Sequence, residues 1–138
     1  MTRLKYDQEI LEFMGLFSRL TPARLKDCFK EEGGYYCIVE EGDMGKAIGK
    51  NGVIIQHIKN RLQIPLRIIE YASSPEQFIR NIIYPVRVDT IEQQDKVFLI
   101  TSPDYKSRSL LIGRDGRHIK MTTKIVKRFF PIEEVKVV

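Results

Sequence analysis

Apolar residues first gather at Ile10, Phe13, Met14 and Phe17, a spacing of three and four that places them along one side of a helix from about Tyr6 to Leu20. Thr21-Pro22 ends it. The pattern then becomes extended: residues 24–30 and 35–41 read as two strands of a hairpin around "EEGG", the second rich in Tyr, Ile and Val. Asp43 is placed to cap a short helix from Met44 to Ile48, which runs into a glycine turn. Beyond Gly52, Ile54, Ile55, Ile58 and Leu62 line one side of a further helix. Pro65 stops that helix, and "LRIIEY" reads as a closing strand.

The same order then begins again at "ASSPEQ". Ser74 is a good N-cap, Pro75 suits the first helical position, and Gln77 can complete a capping box. Phe78, Ile79, Ile82 and Ile83 give this helix its buried side, and Pro85 ends it. "VRVDTIEQQ" and "KVFLITS" predict a hairpin around Gln93 to Asp95. Ser107 precedes Gly113 by the same interval as Asp43 precedes Gly49, so it is expected to cap the next short helix. After Gly116 a helix should run to about Phe130, followed by Pro131 and a last strand, "EEVKVV". Each half therefore reads α-β-β-α-α-β with a glycine turn between its second and third helices. The expected class is α+β, with helices on one face of a small three-stranded sheet and domains at 1–73 and 74–138.

The repeat is sharpest at the turns. "KAIGKNGVI" and "LLIGRDGRHI" share the frame Ile-Gly-x-x-Gly-x-x-Ile, Ile48 to Ile55 and Ile112 to Ile119, offset by 64 residues. Two domains of this size are each marginal alone and gain from company.

Charge changes the picture more than composition does. The formal net charge is +5. Residues 44–67 hold five bases (Lys46, Lys50, Lys59, Arg61, Arg67) and no acid. Residues 105–128 hold eight (Lys106, Arg108, Arg114, Arg117, Lys120, Lys124, Lys127, Arg128) and one acid, Asp115, so the rest of the chain is net −7. Positive charge is concentrated around the two glycine turns, the footprint of a nucleic-acid site rather than of an evenly solvated surface.

A turn lacking Cβ atoms lets a sugar-phosphate backbone come close, and the N–H groups opening the next helix favour an anion. A nucleoside-triphosphate loop does not fit. That frame needs four residues between Gly and Gly-Lys and then Ser or Thr, whereas three residues separate Gly45 from Gly49 and Asn51 follows Lys50. The motif between two helices, the element order and the duplication together resemble the KH domain in its prokaryotic (type II) form, whose Gly-x-x-Gly loop clamps about four nucleotides of a single strand. Two such domains in tandem, with "EEGDMGKAIGKNG" in the first, resemble the short archaeal form of the NusA family of transcription factors.

Carried over by position, the resemblance implies two RNA clamps: Gly49, Lys50, Asn51 and Gly52, then Gly113, Arg114, Asp115 and Gly116. It implies apolar groove floors of Ile48, Val53 and Ile55, and of Ile112 and Ile119, with plain core packing as their alternative role. Lys46, Arg117, Lys120 and Lys124 would add attraction along the strand, against a solvated helix face as the plainer account. Implied partners are single-stranded RNA and RNA polymerase or the transcription complex, with no membrane, small-molecule substrate, metal or cofactor. Ribosomal-RNA binding, and a protein-interaction scaffold with degenerate clamps, stand as alternatives.

The remaining chemistry is sparse. Cys28 and Cys37 flank the hairpin turn and read as two small buried thiols, with a cross-strand disulfide or a zinc site as less economical alternatives. His57 and His118 occupy different places in the two repeats and have no partner at a recognisable spacing, so no catalytic group is expected. Tyr35 and Tyr36 fall in a strand, where packing outweighs base stacking as an expectation. No apolar run approaches the length of a membrane span and no signal-peptide core opens the chain, so a cytoplasmic protein is expected.

Overall fold

A computed structural model describes residues 8–31, 34–61 and 65–138. Tyr6, the residues Glu32 and Gly33 of the expected hairpin turn, and Leu62 lie outside them. By their contacts the residues divide into two units, one ending at Ala72 and one beginning at Ser73. The first contains α1 (Gln8–Leu20), β1 (Leu25–Glu31), β2 (Gly34–Val39), α2 (Met44–Ile48), α3 (Val53–Arg61) and β3 (Leu66–Glu70). The second contains α4 (Pro75–Ile83), β4 (Thr90–Gln94), β5 (Val97–Thr101), α5 (Tyr105–Ile112), α6 (Arg117–Lys127) and β6 (Glu134–Val137). The fold is α+β, two tandem KH-type units.

In the first unit, Ile10, Phe13 and Phe17 of α1 are buried and Met14 packs at their edge, so the helical period does select the inner face. The Phe13 ring stacks on Tyr35 of β2, with centroids 4.6 Å apart. The Tyr35 hydroxyl in turn donates to Glu9 at 2.6 Å, tying helix to sheet at both the ring and its polar tip. The sheet has the order β1-β2-β3. Cys28 lies directly opposite Cys37 in the antiparallel pair. Both are fully buried free thiols, with Sγ atoms 3.7 Å apart. Burial, then the neighbouring Cys28, pushes the Cys37 thiol far above its ordinary value and keeps it protonated.

β2 and β3 are parallel, and so are β5 and β6. A parallel pair cannot be joined by a tight turn, so the chain must cross over the sheet between its members. In each unit that crossover is the pair of helices joined by the glycine turn. Apolar anchors hold it down: Ala47 of α2 and Ile58 of α3 are fully buried in the first unit, and Leu111 of α5 with Ile125 and Val126 of α6 in the second. The glycine turn is thereby placed at the exposed apex of a fastened crossover.

The second unit buries Phe78, Ile79, Ile82 and Ile83 on α4, as its periodicity requires. Phe78 meets Phe129 edge to face at 5.4 Å, closing the core behind α6. Ser74 accepts the Gln77 N–H at 3.4 Å, but the Gln77 side chain turns to Asn81 instead of completing the capping box.

Three local expectations are corrected. Residues 86–88 are not strand; β4 begins at Thr90, because its partner β5 ends at Thr101 before Pro103 and leaves earlier residues nothing to pair with. Ser107 is not a cap: α5 starts earlier, where the Asp104 carboxylate accepts the Ser107 N–H at 2.7 Å. Asp43 precedes α2 without capping it, since its carboxylate is engaged by Arg24.

Candidate nucleic-acid interface

The two glycine turns have nearly the same backbone. Gly49 sits at φ 78°, ψ 170° and Gly113 at φ 74°, ψ 174°, a region essentially closed to residues with a Cβ. Space forbids a side chain as well: a Cβ on Gly49 would lie 2.7 Å from Ile54, and one on Gly113 2.7 Å from the His118 ring and 2.9 Å from its backbone nitrogen. Asn51 (φ 56°) and Asp115 (φ 57°) are left-handed, as are Gly52 (φ 73°) and Gly116 (φ 74°). Asn and Asp are the non-glycine residues that adopt this conformation most readily. Asp115 therefore has a conformational reason to be in a turn surrounded by bases.

Each turn delivers the chain into the first turn of a longer helix, α3 or α6. The leading N–H groups of such a helix have no partner within it and carry its positive dipole end. No side-chain oxygen caps α6. The N–H groups of Val53 and Arg117 are bonded back to the Lys50 and Arg114 carbonyls, so an anion at either turn would meet the N–H groups that follow them as well as neighbouring cations.

The turns are held differently. Upstream of the first, the Asp43 carboxylate, 3 % exposed, accepts the backbone N–H of Arg24 at 2.7 Å and its Nε at 3.0 Å, and Lys46 Nζ lies 3.6 Å away. The Arg24 hydrogen bonds, helped by Lys46, depress the Asp43 carboxyl to about 2. Thr21 donates to the Lys46 carbonyl at 2.8 Å, so α2 is tied to the segment after α1 both just before its first residue and at its middle. At the second turn the ties are local. Asp104 caps α5, and its carboxyl is lowered chiefly by the Ser107 backbone N–H. His118 Nδ1 is 2.9 Å from the Leu110 carbonyl, bracing α6 against α5 across the turn. Lys120 Nζ reaches the Asp115 carbonyl at 3.3 Å.

Among the expected site residues, Lys46, Lys50, Asn51, Arg114, Asp115, Arg117, Lys120 and Lys124 are exposed. Lys46 is engaged with Asp43 instead of standing at the turn. Ile48, Ile55, Ile112 and Ile119 are half-buried, consistent with a shared core and groove role, whereas Val53 stands out at 64 % exposed, on the rim. No group of three or more His, Cys, Asp and Glu side chains among the described residues is arranged to hold a metal ion. No helix among them is long and apolar enough to cross a membrane.

No family model matches the chain. A protein of Methanocaldococcus jannaschii named "Probable transcription termination protein NusA" is 30 % identical over 143 residues, spanning all of this chain and 77 % of that one. The chain belongs to the NusA family. A relative of the same name from Halococcus morrhuae is 26 % identical and covers 97 % of this chain and 98 % of its own length. Another, from Thermoplasma acidophilum, is 21 % identical over 99 % of this chain. The crystal structure titled APE1850 shares the fold, with a TM-score of 0.74 over 96 % of this chain at 22 % identity.

In this NusA-family chain the residues that fasten the turns were less visible than the turns themselves. Arg24 pairs with a residue 19 positions away and no local pattern announces it. The repeat itself points to His118: it occupies the position of Ile54, and both side chains lie close against the first glycine of their turn.

Proposed function

We propose that this chain is a single-stranded RNA-binding component of the transcription apparatus, gripping the RNA backbone at its two glycine turns. The observation that carries this reading is the matching turn backbone at Gly49–Gly52 and Gly113–Gly116, each opening a helix inside a cation-rich segment. The glycines permit close approach, the helix amides supply donors, and Lys50, Arg114, Arg117, Lys120 and Lys124 supply charge. Half-buried Ile48, Ile55, Ile112 and Ile119 offer apolar surface beside each turn for bases, with Val53 at the rim. The relatives' names, as transcription termination proteins, favour nascent transcripts over ribosomal RNA and RNA polymerase as the associated machine.

The double variant Lys50→Asp, Asn51→Asp tests the first clamp. Asp115 already occupies the position equivalent to Asn51 with the same left-handed φ, so the fold tolerates the change. Single-stranded RNA affinity should fall at least about tenfold, since one charge reversal and one added negative charge at phosphate distance each act on the order of 1 kcal/mol. Unchanged affinity in both fluorescence polarisation and filter binding would remove the first turn from the site. Co-purification with elongation complexes, and not with ribosomal subunits, is the expected outcome for the cellular partner.

A further inference from the structure

The helices that follow the two turns differ in one systematic way. On α6, Arg117, Lys120, Lys124 and Lys127 are all exposed. At 100° per residue they fall within an arc of about 80°, a single cationic stripe that starts at the turn. The first repeat, aligned through its glycines, has Val53, Gln56, Asn60 and Gln63 at those four positions. Each cation is replaced by an uncharged residue, and three of the four replacements are amides. Val53, Gln56 and Asn60 are exposed on α3, and the Gln56 amide nitrogen lies 3.5 Å from the Asn60 side-chain oxygen.

Cations and amides suit different parts of a nucleic acid. A Lys or Arg stripe attracts phosphates without regard to sequence, and its strength falls with salt. An amide offers a donor and an acceptor together, which matches the edge of a base and is little screened. An exposed valine beside the amides gives a base an apolar contact at the mouth of the turn. The backbones of the two turns agree within a few degrees, so these side chains, not the scaffold, decide what each helix meets.

Resting on the RNA-binding reading above, we infer that the two repeats divide the work: α3 reads bases through Val53, Gln56 and Asn60, and α6 tracks the backbone through Arg117, Lys120, Lys124 and Lys127. The first repeat sets which sequence is held; the second sets how firmly any sequence is held.

Exchanging the stripes tests this in the full chain. One variant carries Arg117→Val, Lys120→Gln and Lys124→Asn; the other carries Val53→Arg, Gln56→Lys and Asn60→Lys. All six positions are exposed, and circular dichroism verifies folding before binding is measured to single-stranded A, C, G and U oligonucleotides across 50 to 200 mM salt. The α6 variant should lose about 2 units of log–log salt slope, roughly a 15-fold smaller loss of affinity over that range, while keeping the parent's ranking of the four oligomers. The α3 variant should flatten the ranking and steepen the slope. If the α6 variant reshuffles the ranking, or the α3 variant preserves it, the division of work is wrong while RNA binding stands. A folded parent that binds none of the four at any salt overturns both readings.

Discussion

The two glycine turns share a backbone but not a foundation. The first is secured from a distance: Asp43 is clasped by Arg24 and Thr21 holds the carbonyl of Lys46, both from the segment following α1. The second is secured from within the crossover itself, by the Asp104 cap, the contact of His118 with Leu110 and the Thr122 hydroxyl on the His118 carbonyl. Equal geometry reached by unlike means implies that the geometry is what matters, and that each turn has its own point of failure.

The sharpest way to break the symmetry is at the leading glycines. In Gly49→Ala the new methyl meets Ile54, Cγ1 at 2.7 Å and the fixed Cβ at 3.0 Å; in Gly113→Ala it meets the His118 ring at 2.7 Å and also its backbone nitrogen at 2.9 Å. Both pay for an unfavourable positive φ, so we expect a loss of about 1–3 kcal/mol at Gly49 and about 2–5 kcal/mol at Gly113. Amide exchange resolved by repeat measures each. A larger loss in the first repeat than in the second would contradict this difference in clearance.

Next comes the distant tie. Asp43→Asn should lower the thermal midpoint of the first repeat by roughly 5–10 °C and leave the second unaffected. The carboxyl is depressed in the fold, from an ordinary 3.8 to about 2. Its contribution is therefore complete above about pH 4 and disappears as the pH falls through 2. Parent and variant should differ at pH 6 and converge near pH 2, and a difference that persists in acid would assign the effect to packing alone.

Asp104→Ala removes a helix cap at the surface. A drop of roughly 4–8 °C confined to the second repeat is expected, with faster amide exchange in the first turn of α5. Uniform loss across both repeats would show that the cap is not a local device. The smallest change is Asp115→Asn, which makes the second turn chemically like the first. Both residue types accept the left-handed φ, so stability should hardly move, while RNA affinity at low salt should rise roughly two- to fivefold. No rise, with binding otherwise intact, would place Asp115 away from the phosphate.

The sequence carried whatever is encoded locally. Apolar periods marked α1, α4 and α6, the Ile-Gly-x-x-Gly-x-x-Ile frame marked both turns, and the cysteine spacing around the turn placed Cys28 beside Cys37. What escaped depended on choices among nearby alternatives or on distant partners. Asp104 outcompeted Ser107 for the start of α5 because an ionised oxygen is the stronger acceptor. Asp43 looked like a cap because its best partner, Arg24, lies on the far side of a hairpin. Val53 is placed on the groove floor by the resemblance alone, whereas in the structure it is 64 % exposed beside the turn.

The facing thiols of β1 and β2 also give the molecule a built-in clock. Neither sulfur is accessible in the closed sheet, and protonation makes Cys37 a poor nucleophile there. An alkylating reagent can therefore mark these residues only during moments when the two strands part. When labelling keeps pace with every opening, its rate reports how often the first sheet breathes; when closing is faster, it reports the fraction of molecules open at any moment. A mass spectrum taken over time would read that breathing directly, with no substitution made in the chain and the glycine turns left untouched.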